Sequence, residues 1–176
     1  HDANKMSAPL GTEFLLREME LEKAKTALRD NDVLLIVGPA GVGKTRFALE
    51  LCQQLAEENG YTVLVIRNNN LQLYEDLVSA IEEGKDYLVF VDDANELSEL
   101  HYVLEYLSKA VIGTRHISKL ILTVRDYARK QVMQSVMEVT QPETIRISAF
   151  SDADICKLVE TCYGITNRVY TDRIVD

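Results

Sequence analysis

The sequence predicts an α/β fold, a five-stranded parallel sheet flanked by helices, on three observations. Five apolar runs of strand length recur along the chain, and they are continuous rather than alternating. Stretches of helical period separate them. A glycine-rich loop with a lysine and a threonine follows the first run directly. Continuous apolar strands joined by amphipathic helices need cover on both faces, which a parallel sheet between two helical layers supplies.

Taken in order, "TEFLLREMELEKAKTAL" (12–28) reads as a lead-in helix with Leu21, Ala24 and Leu28 facing inward. "VLLIVG" (33–38) is the first strand, and Ala48, Leu51 and Leu55 mark the buried stripe of a helix ending near Gly60. "TVLVI" (62–66) precedes a helix carrying Leu73, Leu77 and Ile81, with Asn70 in "RNNNLQL" as its cap. "YLVFVD" (87–92) precedes a long helix with Leu97, Leu100, Leu104, Leu107 and Val111 on one stripe. "KLILTV" (119–124) leads into a helix through about Met137, and "TIRIS" (144–148) closes the series. "SDADICKLVETC" (151–162) opens with a capping-box pattern, Ser151 to Asp154, ahead of Ile155, Leu158, Val159 and Cys162. The expected organisation is a flexible lead over 1–11, a core over 12–150 that includes the lead-in helix, and the start of a truncated helical subdomain over 151–176. The chain begins "HDANKM" and ends "DRIVD", which reads as a segment of a longer protein.

Composition narrows the function. With 176 residues, 47% of them hydrophobic and 27% charged, the chain suits one globular domain and a fragment of a second. A net charge of −9 provides no global positive field for nucleic acid or an acidic membrane. Locally basic "RDYARK" (125–130) reads as a solvated helix face. The apolar runs are too short to span a bilayer, and no charged-then-apolar leader opens the chain. Cys52, Cys156 and Cys162 form no CxxC and the three histidines are scattered, so the cysteines read as small buried hydrophobes in a reducing, cytoplasmic setting.

"GPAGVGKT" (38–45) fits G-x-x-x-x-G-K-[ST] between a strand and a helix, the context that phosphate binding requires. Gly38, Pro39, Ala40, Gly41, Val42, Gly43, Lys44, Thr45 and Arg46 are the candidate nucleotide contacts. Glycines allow a concave nest of N–H donors, Lys44 supplies a point charge, and Thr45 supplies a hydroxyl to Mg²⁺. The motif resembles that of P-loop NTPases, whose topology implies that the fourth strand inserts between the first and third, for an expected three-layer fold of strand order 5-1-4-3-2. "YLVFVDD" then brings two carboxylates to the same sheet edge. Asp92 is assigned to the metal and Asp93 to the attacking water, with Glu96 a weaker substitute; a helix cap would explain one aspartate but not both. Arg125, after "LILTV", is placed to sense the γ-phosphate, against the plainer reading of an arginine paired with Asp126 or other acids. No Asn-Lys-x-Asp follows the fourth strand, which disfavours GTP, and no arginine-rich lid marks a small-molecule kinase.

With these motifs in place, the chain resembles the STAND class of P-loop ATPases, the NB-ARC- and NACHT-like switches of plant resistance proteins, apoptosis adaptors and bacterial antiviral sensors. The resemblance covers about residues 12–163 and rests on "TEFLLRE", "VFVDDANE", "LILTVRD" and "ISAFSDADICKLVE". It implies that Phe14 and Leu15, ahead of Arg17 and Glu18, lie along an adenine, and that Arg125 is the class's sensor arginine. The class often has glycine where Leu16 stands. Its glycine-x-proline motif and winged-helix histidine are absent from these residues. The implied function is an ATP/ADP switch with Mg²⁺ and low turnover that controls self-association of a longer protein. A ring-forming AAA+-like motor or loader, and a structural module that binds nucleotide without hydrolysing it, are the alternatives.

Overall fold

A computed structural model of the chain describes residues 14–67, 77, 79–82, 84–98, 100–112 and 116–163. The chain divides into two compact units, Met19–Ser148 and a second assembled from the segments up to Glu18 and from Ala149 onward. The expected flexible lead over 1–11, the cap at Asn70 and most of the helix expected around Leu73 fall outside the described residues. Of that helix's stripe, Leu77 and Ile81 are described, and both are buried.

The sheet has the predicted order. β1 (Val33–Gly38), β2 (Thr62–Ile66), β3 (Asp86–Val91), β4 (His116–Arg125) and β5 (Glu143–Arg146) lie as β2-β3-β4-β1-β5, every pairing parallel. All six residues of β1 are buried, as expected of a strand covered on both faces. Leu34 and Ile36 point to the face on which α2 (Lys44–Asn59) packs with Phe47, Ala48, Leu51, Cys52 and Leu55. Val33, Leu35 and Val37 point the other way, into a core with Leu100, Val103, Leu104 and Leu107 of α3 (Leu100–Ile112) and Val132 and Val136 of α4 (Arg129–Met137). α1 (Glu18–Asp30) buries Leu21, Ala24 and Leu28 and is tied to α2 by Lys25 Nζ donating to Glu58 at 2.5 Å. In the second unit α5 (Asp152–Tyr163) has a reciprocal cap: Ser151 Oγ and Ser151 N donate to Asp154 Oδ2, and Asp154 N donates back to Ser151 Oγ.

Several boundaries differ from expectation for local reasons. The lead-in helix begins at Glu18, because Leu16 takes a left-handed φ of 69° that a continuing helix cannot accept. That is the position at which the STAND class often carries glycine. Leu97 is not on α3; Ala94–Glu96 form a 3₁₀ turn, and Leu97 is extended, half-buried against the core. β4 runs three residues further toward its N-terminus than its apolar stretch, since β3 pairs with His116 and Ile117 before the register shifts at Tyr87/Leu88.

Candidate functional site

The ends of β1, β3 and β4 meet at one edge of the sheet, and register decides what lies beside what. Ile36 pairs with Thr123 and Gly38 with Arg125, while Val91 pairs with Leu122, so Asp92 continues the ladder beside Thr123. The loop after β1 turns through Gly41 (φ 78°) and Gly43 (φ 87°), both left-handed with open space where a side chain would project. These glycines serve the backbone path. Gly38 serves packing instead: a Cβ there would overlap the Ile147 carbonyl oxygen, whose own N–H donates to Val37 O at 2.8 Å.

α2 starts at Lys44, aiming its positive N-terminal end at the loop. Lys44 is only 7% exposed, and its Nζ donates to Pro39 O at 2.7 Å. Burial pushes the ammonium below its usual pKa, an effect the Asp93 carboxylate opposes and the Arg125 guanidinium reinforces. A buried cation of this kind gains from an incoming anion. Arg46, the next outward-facing cation, pairs with Glu50 along the helix at 3.2 Å.

The two aspartates are held differently. Asp92 Oδ1 accepts hydrogen bonds from Thr45 Oγ1 (2.8 Å) and Thr123 Oγ1 (2.9 Å). Its Oδ2 faces Arg67 Nε at 3.5 Å. Asp93 has a left-handed φ of 46° and makes no side-chain cap to the 3₁₀ turn that follows, so capping does not explain it. Its backbone N–H donates to Thr123 Oγ1 at 2.8 Å. Asp93 Oδ2 accepts from Arg125 Nη2 at 3.2 Å, and the same nitrogen lies 2.6 Å from Glu96 Oε1. Of the acids that the plainer reading of Arg125 offered, the partners are thus Asp93 and Glu96, while Asp126 accepts from Arg146. The backbone of Arg125 is pinned by its N–H to Asn95 Oδ1 at 3.0 Å.

Lys44, Thr45, Asp92, Asp93 and Arg125 thus converge, as the motif spacing requires. Phe14 and Leu15 lie half-buried in the other unit, where Arg17 stacks 4.1 Å above the Phe150 ring. Arg67 and Asn95 escape the motif reading, and Thr123 enters it only as the residue ahead of Arg125 in "LILTVRD", with no role of its own. Only Thr123 left a trace in the sequence, as the one hydroxyl in an otherwise apolar stretch. The donor set fits a magnesium nucleotide: hard oxygens on Thr45 and Asp92, a charge-poor loop with N–H groups to offer, and a buried lysine. Cys52 is no nucleophile, since burial pushes its thiol up to about 12.

Residues 16–157, well over half of the chain, match the family model described as Novel STAND NTPase 3. The chain belongs to that family. It is a P-loop NTPase of the STAND class, a nucleotide-binding module. No curated protein matches this STAND NTPase in sequence. Among solved structures it is similar to Orc1 of Aeropyrum pernix in complex with DNA, with a TM-score of 0.63, 14% identity, and coverage of 88% of this chain and 51% of that one. AMPPCP-bound DnaA of Aquifex aeolicus gives 0.62, 14%, 92% and 58%, and a RuvB mutant of Thermotoga maritima gives 0.58, 20%, 85% and 52%. These likenesses concern the fold. The chain spans a little over half the length of these proteins. No helix among the described residues is long and apolar enough to cross a membrane.

Proposed function

We propose that this STAND NTPase domain is a slow ATP/ADP switch within a larger cytoplasmic signalling protein, with nucleotide state controlling self-association. A defence role follows only from the class. Gly38–Arg46 would cradle the phosphates, and Lys44 would place its charge on the outer ones. Mg²⁺ arriving with the nucleotide would be held by Thr45 and Asp92 and would neutralise phosphate charge. Asp93 would orient and deprotonate the attacking water, and Arg125 would read the γ-phosphate.

The observation that carries this reading is the pairing of Arg125 with both Asp93 and Glu96. The candidate base and the candidate sensor occupy each other, so turnover requires the γ-phosphate to draw Arg125 away first. That favours a switch over a fast motor. The motor reading draws on the fold shared with Orc1, DnaA and RuvB, and it predicts rapid hydrolysis stimulated by DNA.

Calorimetric titration with Mg·ATP, ADP and GTP, repeated on Lys44→Ala, tests the site. Micromolar adenine-selective binding that the substitution abolishes is the expected result. Equal binding by the variant would remove the loop from consideration. Hydrolysis then separates the readings: Asp93→Asn should abolish a slow wild-type rate, whereas intact ATP with the wild type would indicate a structural nucleotide module.

A further inference from the structure

Asp92 is solvated unequally on its two oxygens. Oδ1 is saturated by the hydroxyls of Thr45 and Thr123. Oδ2 meets Arg67 Nε at 3.5 Å, with the aspartate side chain 14% exposed and the arginine 58% exposed. The backbone brings the two residues together: Asp92 N–H donates to Ile66 O at 2.9 Å, extending the β2–β3 ladder so that Arg67 lies beside Asp92. The distance exceeds that of a charge-assisted hydrogen bond, so the contact is held by charge rather than by a guanidinium fork. With one partner largely in solvent it is also weak and easily exchanged. The other nearby cations are engaged elsewhere, Lys44 on the Pro39 carbonyl and Arg125 on Asp93 and Glu96.

We propose that Arg67 is the resting counterion of Asp92 and competes with the divalent cation for that carboxylate. This rests on reading Asp92 as a metal ligand. A guanidinium and a divalent ion are both attracted to this carboxylate but repel each other at this separation, so one displaces the other. Arg67 is a positioning residue in this scheme. It keeps the carboxylate compensated in the ligand-free protein and raises the cation concentration needed to load the site, a threshold set by the chain rather than by the nucleotide.

The test is direct Mn²⁺ binding to the ADP-saturated protein, read from the free-ion paramagnetic resonance signal. Arg67→Gln should tighten Mn²⁺ binding about threefold to tenfold, and Arg67→Met should do the same. Arg67→Lys keeps the charge and should stay within about twofold of wild type. Asp92→Asn should weaken binding and erase the effect of Arg67→Gln. Melting curves establish that each variant is folded, and either neutral variant suffices. Unchanged or weaker Mn²⁺ binding in the neutral variants, with Asp92→Asn still impaired, overturns the counterion role and leaves Asp92 a ligand. Mn²⁺ binding indifferent to Asp92→Asn overturns both.

Discussion

Replacing Thr123 with valine removes one hydroxyl and leaves the shape nearly unchanged. In a fully buried position that hydroxyl donates to the Asp92 carboxylate and accepts the Asp93 backbone N–H. A hydrogen bond to a charged acceptor contributes about 1.5–3 kcal/mol. Leaving a buried N–H unpaired costs about another 1–3 kcal/mol, and the added methyl returns about 1 kcal/mol. Thr123→Val should therefore lose about 1.5–5 kcal/mol in urea unfolding followed by far-ultraviolet circular dichroism. Thr123→Ser keeps both bonds and should lose only about 1 kcal/mol, for the missing methyl. Function should split in the same way. At saturating Mg·ATP the valine variant should hydrolyse more slowly, because Asp93 loses the bond that holds its left-handed backbone, while the serine variant stays close to wild type. A valine variant within about 0.5 kcal/mol of wild type, with unchanged hydrolysis, would refute the claim that Thr123 sets the geometry of the two aspartates.

The glycines of the loop should respond to different replacements. Gly41→Ala should cost about 1–2 kcal/mol through its left-handed backbone, and Gly41→Asn should recover much of that loss. Gly38→Ala should cost about 1–3 kcal/mol because its Cβ meets the Ile147 carbonyl, with no recovery from asparagine; thermal melts of the four variants decide it. Metal-free ADP affinity should fall as pH rises through the lowered pKa of Lys44, before the usual lysine value of 10.5 is reached. In the ligand-free protein the same group contributes the opposite slope: the unfolded chain holds this proton more tightly, so stability gains from Lys44 between the lowered folded pKa and 10.5. ADP titrations between about pH 8 and 10 check the first point, and affinity that stays flat would show that burial does not depress this lysine.

The division between what was readable in one dimension and what was not follows the range of the forces involved. The strands, the phosphate loop and the family were legible, because each rests on short-range patterns: continuous apolar runs, closely spaced glycines, and a lysine at a helix start; the strand order came with the P-loop topology that the motif implies. Lys44, Thr45, Asp92 and Asp93 could be named for the same reason, since a strand end fixes where its next residues go. The boundary of the lead-in helix was not legible, because leucine at position 16 carries no signal for φ 69°. Leu97 kept the helical spacing of its neighbours yet stands outside α3, the 3₁₀ turn ahead of it having its own geometry.

What the tertiary structure alone decided is who pairs with whom. Arg125 takes Asp93 and Glu96 rather than Asp126, and Arg67 reaches Asp92 from just past the end of β2, three places away from β1 in the sheet and in no motif at all. Thr123 binds two consecutive residues of a neighbouring strand's end only because the β3–β4 register puts Leu122 opposite Val91. Hydrophobic period depends on a residue's own neighbours in the chain and survives in sequence. An ion pair or a buried hydroxyl bond depends on distances of a few ångströms between separate strands, and those exist only once the sheet has formed.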